Sequence, residues 1–169
     1  PSRFELGMLL INGLYAIDST PGAGGLTDTS DLIDGNRSGL TVPPIDLNAN
    51  DRNIGLRQLV AHEAHKLHLY LSTGDPSISA YVAGNSFGFQ VYSSVDGVSW
   101  TLMPGAIASY DSSFSRVEFT FPETTAEYFK IVNTANPVGA LAVNVTEIEA
   151  LGYVLSTPQT VLNYEIQRR

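Results

Sequence analysis

Apolar and polar residues alternate along much of this chain. Phe4, Leu6, Met8 and Leu10 alternate with Arg3, Glu5, Gly7 and Leu9. Leu67, Leu69 and Leu71 alternate with Lys66, His68 and Tyr70. Phe87, Phe89 and Val91 alternate with Gly88, Gln90 and Tyr92, and Val117, Phe119 and Phe121 with Glu118 and Thr120. A period of two predicts strands with one buried face. Residues 56–61, 99–103, 128–133 and 141–151 add further strand candidates. The best helical period, over 56–67, fits a strand, a turn and a strand equally well. Turn chemistry separates the segments: Thr20-Pro21-Gly22-Ala23-Gly24-Gly25, Asp34-Gly35-Asn36, Gly74-Asp75-Pro76 and Asp96-Gly97. Asp96-Gly97, between Val91-Tyr92 and Ser99-Trp100, is a hairpin signal. Many short strands without a convincing helix predict an all-β fold of two packed antiparallel sheets.

Composition narrows the function classes. At 169 residues the chain can bury the core of one ordinary domain. Hydrophobic residues make up 43%, which argues against disorder, and charged residues only 15%. Surface polarity then falls to Ser, Thr, Asn and Gly, a composition expected of a secreted β-protein. The net charge of -8 repels phosphate backbones, so no nucleic-acid partner is expected. With no cysteine, disulfides and thiolate metal sites are excluded. No run of 18 apolar residues encodes a membrane span, and residues 6–16 lack the basic flank of a signal peptide. A start at Pro1 reads as a mature or excised form.

Four segments carry a family resemblance. They are Leu32-Ile33-Asp34-Gly35-Asn36; the stretch from Phe89 through Asp96-Gly97 to Trp100; Ala126-Glu127-Tyr128-Phe129-Lys130-Ile131-Val132; and Thr146-Glu147-Ile148-Glu149-Ala150-Leu151-Gly152. In this order they resemble the discoidin-like (coagulation factor 5/8 type C) family, and the hairpin is the most specific of them. The resemblance covers residues 16–153. It leaves 1–15 as an N-terminal extension or extra strand and 154–169 as a C-terminal extension or linker. The tryptophan usual after the first loop is missing: the chain there reads Arg37-Ser38-Gly39-Leu40-Thr41-Val42-Pro43-Pro44. The resemblance implies an antiparallel jelly-roll β-sandwich of the galactose-binding type. Such a domain binds glycans, lipid head groups or proteins through loops at one end.

In such a domain, Asp34, Asn36 and Glu147 are expected to hold a structural calcium ion, with a Leu32 carbonyl and the Ser38 hydroxyl adding oxygen ligands. The alternative is an Asx-turn beside a solvated glutamate. His62, Glu63, His65 and His68 do not form the helical His-x-x-x-His zinc pattern, because position 66 is lysine. His68 should face away from the leucines and from His62. Trp100 is expected in the core. Arg37, Tyr81, Asn85 and Tyr110, all in predicted loops, are the candidate ligand-binding residues for a glycan or cell-surface ligand. The sequons Asn36-Arg37-Ser38 and Asn144-Val145-Thr146 are discounted as chance matches. Asp28/Asp31 and Glu147/Glu149 are read as lying on alternate strand faces, unable to flank one glycosidic bond.

These readings imply a non-catalytic carbohydrate-binding or adhesion module of a secreted or cell-surface protein. A second reading is a structural subunit of an extracellular filament, capsid or surface layer, self-assembling or meeting neighbouring domains through its termini. A jelly-roll glycan hydrolase or lyase is a third.

Overall fold

The computed structural model describes residues 3–7, 10–16, 26–48, 52–72, 76–135 and 143–155. Among these residues there are nine strands: β1 (Arg3–Gly7), β2 (Leu10–Ala16), β3 (Thr27–Thr29), β4 (Asn53–Leu71), β5 (Gln90–Ser94), β6 (Thr101–Leu102), β7 (Ile107–Asp111), β8 (Arg116–Val132) and β9 (Val145–Leu155). A 3₁₀ turn (Ser30–Leu32) follows β3, and one helix, α1 (Pro76–Ala83), follows β4. Every ladder is antiparallel. The predicted turn at 20–25, most of the turn at 74–76, residues 141–142 and the tail from 156 lie outside the described residues.

Two long strands organise the sandwich. The sequence pattern predicts separate strands at 56–61 and 67–71, and again at 117–121 and 128–133. Each pair is instead one continuous strand, β4 of 19 residues and β8 of 17. The start of β4 lies between β2 and the end of β8, with Leu56 opposite Gly13 and Phe129. Its end lies between β9 and the start of β8, with Leu69 opposite Ile148 and Val117. Register breaks between Arg57 and His62, and between Ala64 and Lys66, separate the two halves. Bulges bend and twist a strand, so one strand can serve both layers of a sandwich. Pro122 falls in the second break, between Thr120 (opposite Lys66) and Thr124 (opposite Ala64). A residue without an N–H is tolerated where the ladder skips.

Alternation then sorts the side chains. Ile54, Leu56, Leu67, Leu69, Val117, Phe119, Phe129, Ile131, Ile148 and Ala150 form one buried core. Their sequence neighbours take the outer faces. The N-terminal segment contributes to the same sheet, β1 pairing with β9 and β2 with both β3 and β4.

Three local expectations are corrected. Residues 76–83 form a helix that buries Ile78 and Val82, one turn apart, and ends before Asn85 at φ +50. Eight residues show only one such spacing, too few for a periodic signal. The strand predicted from Phe87 starts only at Gln90, because Gly88 at φ +57 breaks the extended backbone; Phe87 and Phe89 stack at 5.0 Å instead. Trp100 is not in the inter-sheet core. It covers the outer face, its ring 4.3 Å from Lys130 Nζ and edge-on to Tyr128.

The predicted hairpin forms, with Ser93 opposite Thr101 and Gly97 at φ +73. Asp96 Oδ1 accepts bonds from the N–H groups of Ser99 and Val98 and from the Ser94 hydroxyl, which hold its carboxyl down to about 2.

Candidate functional site

The first loop and the last strand meet. Gly35 N–H donates to both carboxylate oxygens of Glu147, at 3.1 and 3.2 Å. Thr146 Oγ1 donates to the Arg37 carbonyl at 2.8 Å. Glu147 is only 3% exposed. Burial, with smaller contributions from the Asp34 and Glu149 carboxylates, pushes its carboxyl up to about 7, against the pull of the Gly35 N–H. A buried Glu147 carboxylate beside the exposed Asp34 carboxylate suits a hard cation, which takes carboxylate and carbonyl oxygens.

The rest of the predicted calcium set is less open. Asn36 Oδ1 accepts from Ser38 N, Ser38 Oγ and Gly39 N, so the side chains of Asn36 and Ser38 close on each other. Asp34 Oδ1 accepts the Asn36 N–H at 2.8 Å, the predicted Asx-turn. Leu32 is fully buried. Of the named residues, the structure brings Asp34 and Glu147 together. Among the described residues, no group of three or more His, Asp or Glu side chains is arranged to hold a metal.

Beside this loop, an ion-pair and aromatic patch covers the outer face of β4, β8 and β9. Strand register sets its rows: Glu147, Tyr70 and Arg116 lie side by side, with Asp111 beyond, and Glu149, His68 and Glu118 form the next row. Arg37 reaches over from the loop. Its guanidinium bonds Glu149 Oε1 through Nε at 3.0 Å and Nη2 at 2.5 Å, and sits 4.7 Å above the Tyr70 ring. Arg116 bonds Glu118 at 2.5 Å and donates to the Tyr70 hydroxyl at 3.1 Å, which donates to Glu149 Oε2 at 3.2 Å. Burial would raise the Glu149 carboxyl, but bonds from His68 and Arg37 outweigh it and hold the group at about 2. At the rim, the Phe114 ring is 56% exposed and backed by the Arg116 guanidinium 4.5 Å away.

This arrangement overturns one expectation. Glu147 and Glu149, two apart in a strand, share one face. Each is nevertheless fixed to its own partner, Glu147 to Gly35 and Glu149 to Arg37. Asp31 is likewise engaged, its Oδ2 accepting the Val42 N–H at 2.7 Å.

The candidate ligand residues fare differently. Arg37 is half exposed within the patch. Tyr81, expected in a loop, lies on α1 and packs edge-on against Phe87. Tyr110, also expected in a loop, lies on β7 against the core with its hydroxyl buried. Asn85 is exposed beyond the helix. Among the described residues, no hydrogen bond or ion pair joins Asn85 to the other three. His68 is buried between Glu118 (3.4 Å) and Glu149 (3.7 Å), whereas His62 is exposed opposite Ala126. Sequence reasoning missed Tyr70, Phe114, Arg116 and Glu118. Their signal was the outward register of the strands: Tyr70 alternates with the leucines of β4, and Arg116 and Glu118 with Val117 and Phe119. Phe114 stands in a turn, outside any pattern.

No family model matches the chain, and no curated protein sequence does. Solved structures do. A truncated AlyQ with CBM32 and alginate lyase domains superposes at a TM-score of 0.56 and 15% identity, over 94% of this chain and 36% of that one. This chain thus spans about a third of that longer protein. The CBM32 of AlyQ, in complex with 4,5-unsaturated mannuronic acid, superposes at 0.54 and 17% identity, over 86% of this chain and 97% of the module. The family 32 carbohydrate-binding module of Streptococcus pneumoniae EndoD gives 0.52 at 12% identity, over 86% and 98%. These superpositions take in 86–94% of the chain, and the chain has the discoidin-like, galactose-binding-like β-sandwich fold of the family 32 carbohydrate-binding modules.

Proposed function

We propose that this chain is a non-catalytic carbohydrate-binding module of a secreted or cell-surface protein. The observation that carries this reading is the superposition on an isolated carbohydrate-binding module over 97% of that module's length. The ligand surface is the patch at the loop end of β4, β8 and β9. An exposed aromatic ring stacks on the apolar face of a pyranose, and polar groups around it fix the hydroxyls. Phe114 supplies the ring; Arg37, Arg116 and Asp111 supply the polar rim. The fixed partners of Glu147 and Glu149 favour an architectural role for these carboxylates over acid–base catalysis.

A calcium ion at Asp34 and Glu147 completes the proposal. It would tie the first loop to the last strand and stabilise the fold by mass action. The test of function is a glycan array with the wild-type chain and Phe114→Ala in calcium-containing buffer. Selective binding to one sugar class, lost in the variant with unchanged thermal unfolding, is the expected result. Turnover of a polysaccharide, or no binding by folded protein, would overturn the reading.

A further inference from the structure

The bend of β4 lies at the end of the molecule away from the ligand patch. Asn133, next in sequence to the Asn53–Val132 pair, donates from its backbone N–H to the Arg52 carbonyl and from its side-chain amide to the Leu47 carbonyl. Leu47 N–H in turn donates to the Val143 carbonyl, and the N–H of Val145, opposite Leu71, donates to the Ile45 carbonyl. Both ends of β4 therefore converge on residues 45–47, and the bend between them points the other way. Among the described residues, none is registered opposite Leu59, Val60 or Ala61: β2 stops at Gln58, β9 begins at Lys66, and β8 passes from Tyr128 to Ala126. Leu59 and Val60 are each 55% exposed there. The hairpin turn reaches the same end. β4 and β5, both antiparallel to β8, run the same way, with Arg57 and Ser94 on either side of Tyr128. Beyond Ser94 the turn leaves Val95 73% and Val98 70% exposed.

We infer that this end is the contact surface for a second copy of the chain, which meets it about a two-fold axis. Clustered exposed apolar side chains mark a protein contact, and a two-fold contact requires a patch that complements itself. This one does so in shape and in charge. Two aliphatic ridges, Leu59–Val60 and Val95–Val98, flank the more buried Ser94 and Tyr128, so a ridge of one copy fits the gap of the other. Beside the gap, Arg57 and Glu127 pair at 2.6 Å with side chains 38% and 25% exposed. The two-fold brings each guanidinium to the carboxylate of the second copy. Asp96, the charged residue of the turn, directs Oδ1 to the turn's own Val98 and Ser99 N–H groups. A sugar does not suit the surface: its bare groups are aliphatic, and the Tyr128 ring is held between Arg57, 5.4 Å away, and Trp100. An anionic membrane does not suit a chain of net charge -8. The contact leaves the two loop ends facing opposite ways, so it stands whatever they bind.

The experiment is sedimentation velocity of the full chain from about 5 to about 500 μM, a range that brackets the affinities of small interfaces. The weight-average mass should rise from that of one chain to that of two, with a dissociation constant on the order of 10–100 μM. Raising salt from about 20 to about 300 mM should tighten it severalfold, because screening relieves the repulsion between two acidic copies. Leu59→Glu and Val95→Glu should each weaken it at least about tenfold. Val42→Glu and Ile107→Glu, at side chains 79% and 69% exposed elsewhere, should leave it unchanged. All four positions are exposed, so thermal unfolding should match the wild type. Arg57→Glu and Glu127→Arg should each weaken association alone, and an equimolar mixture should restore it, because each variant then meets the opposite charge in the other. Small-angle scattering of the dimer should give a maximum dimension about twice the monomer's, as expected of an end-to-end two-fold contact. A chain monomeric throughout, a dimer that Leu59→Glu leaves intact or Ile107→Glu breaks, charge variants that stay apart when mixed, or a compact side-by-side dimer would each overturn the inference. None of these outcomes touches the carbohydrate-binding reading, which the glycan array tests separately.

Discussion

Lys130 lies on the outer face of β8 with no exposed surface, its Nζ 4.3 Å from the centroid of Trp100 and 5.8 Å from that of Tyr92. Burial lowers its ammonium from 10.5 to about 8. At ~1.4 kcal/mol per pH unit, that depression corresponds to about 3 kcal/mol. The aromatic faces act in the opposite sense, by ~0.5–2 kcal/mol, so roughly 1–3 kcal/mol of penalty remains on the charged form. The folded value is below the unfolded one. Between about pH 8 and 10.5 the unfolded chain therefore holds a proton that the folded chain has lost, and stability rises with pH through that window. Lys130→Met keeps the stem and removes the titration. Urea midpoints of both proteins, measured from pH 7 to 10, should show the variant at least as stable at neutral pH. The wild type should gain on it steadily above pH 8. A difference between the two that stays flat across this range would refute the reasoning, because it would mean that the buried ammonium keeps its ordinary proton affinity.

Other perturbations test other parts of the structure. Gly97→Ala puts a methyl group at φ +73 and 3.0 Å from Tyr128 Cε1, and should cost about 1–3 kcal/mol by chemical unfolding. Gly55→Ala would place its Cβ 2.3 Å from the Phe129 carbonyl oxygen, so β4 and β8 must separate; a loss of at least that size, seen as a lower melting temperature, is expected. Leu69→Ala removes a fully buried side chain from the core and should cost about 2–5 kcal/mol. Calcium should raise the melting temperature of the wild type, a chelator should reverse the gain, and Glu147→Gln should abolish it; equal melting temperatures with and without calcium would remove the ion from the proposal.

The fold was largely legible because burial of one face imposes a period of two on every core strand. The pattern could not show that β4 and β8 run unbroken. Leu59 and Val60, in the bend of β4, are both about half exposed and interrupt the alternation just as a loop would. Pro122 did the same for β8. The helix at 76–83 escaped because it is short, and Trp100 was misplaced because its large ring serves an outer face by shielding a buried lysine. Around the first loop, Asp34 and Glu147, named through the motif, lie together in the structure. Arg37, named by residue type alone, lies over Tyr70 and Glu149. Tyr81 and Tyr110 carried the same signal, yet neighbouring aromatics and the core absorb their rings. The partners of Arg37 depend on contacts 112 positions apart in sequence, which no local pattern encodes.

The two long strands also bear on how the chain folds. Because β4 pairs with β2, β8 and β9, and β8 with β4, β5 and β7, the sheet cannot be completed before these two strands find each other. Their pairing joins Asn53 to Val132 and Tyr70 to Arg116, closing loops of very different length at once. Pairing this far apart in sequence implies a high contact order and folding in the millisecond-to-second range of β-sandwiches. It also predicts a single cooperative unfolding transition, with amide exchange across both layers protected to the same global limit.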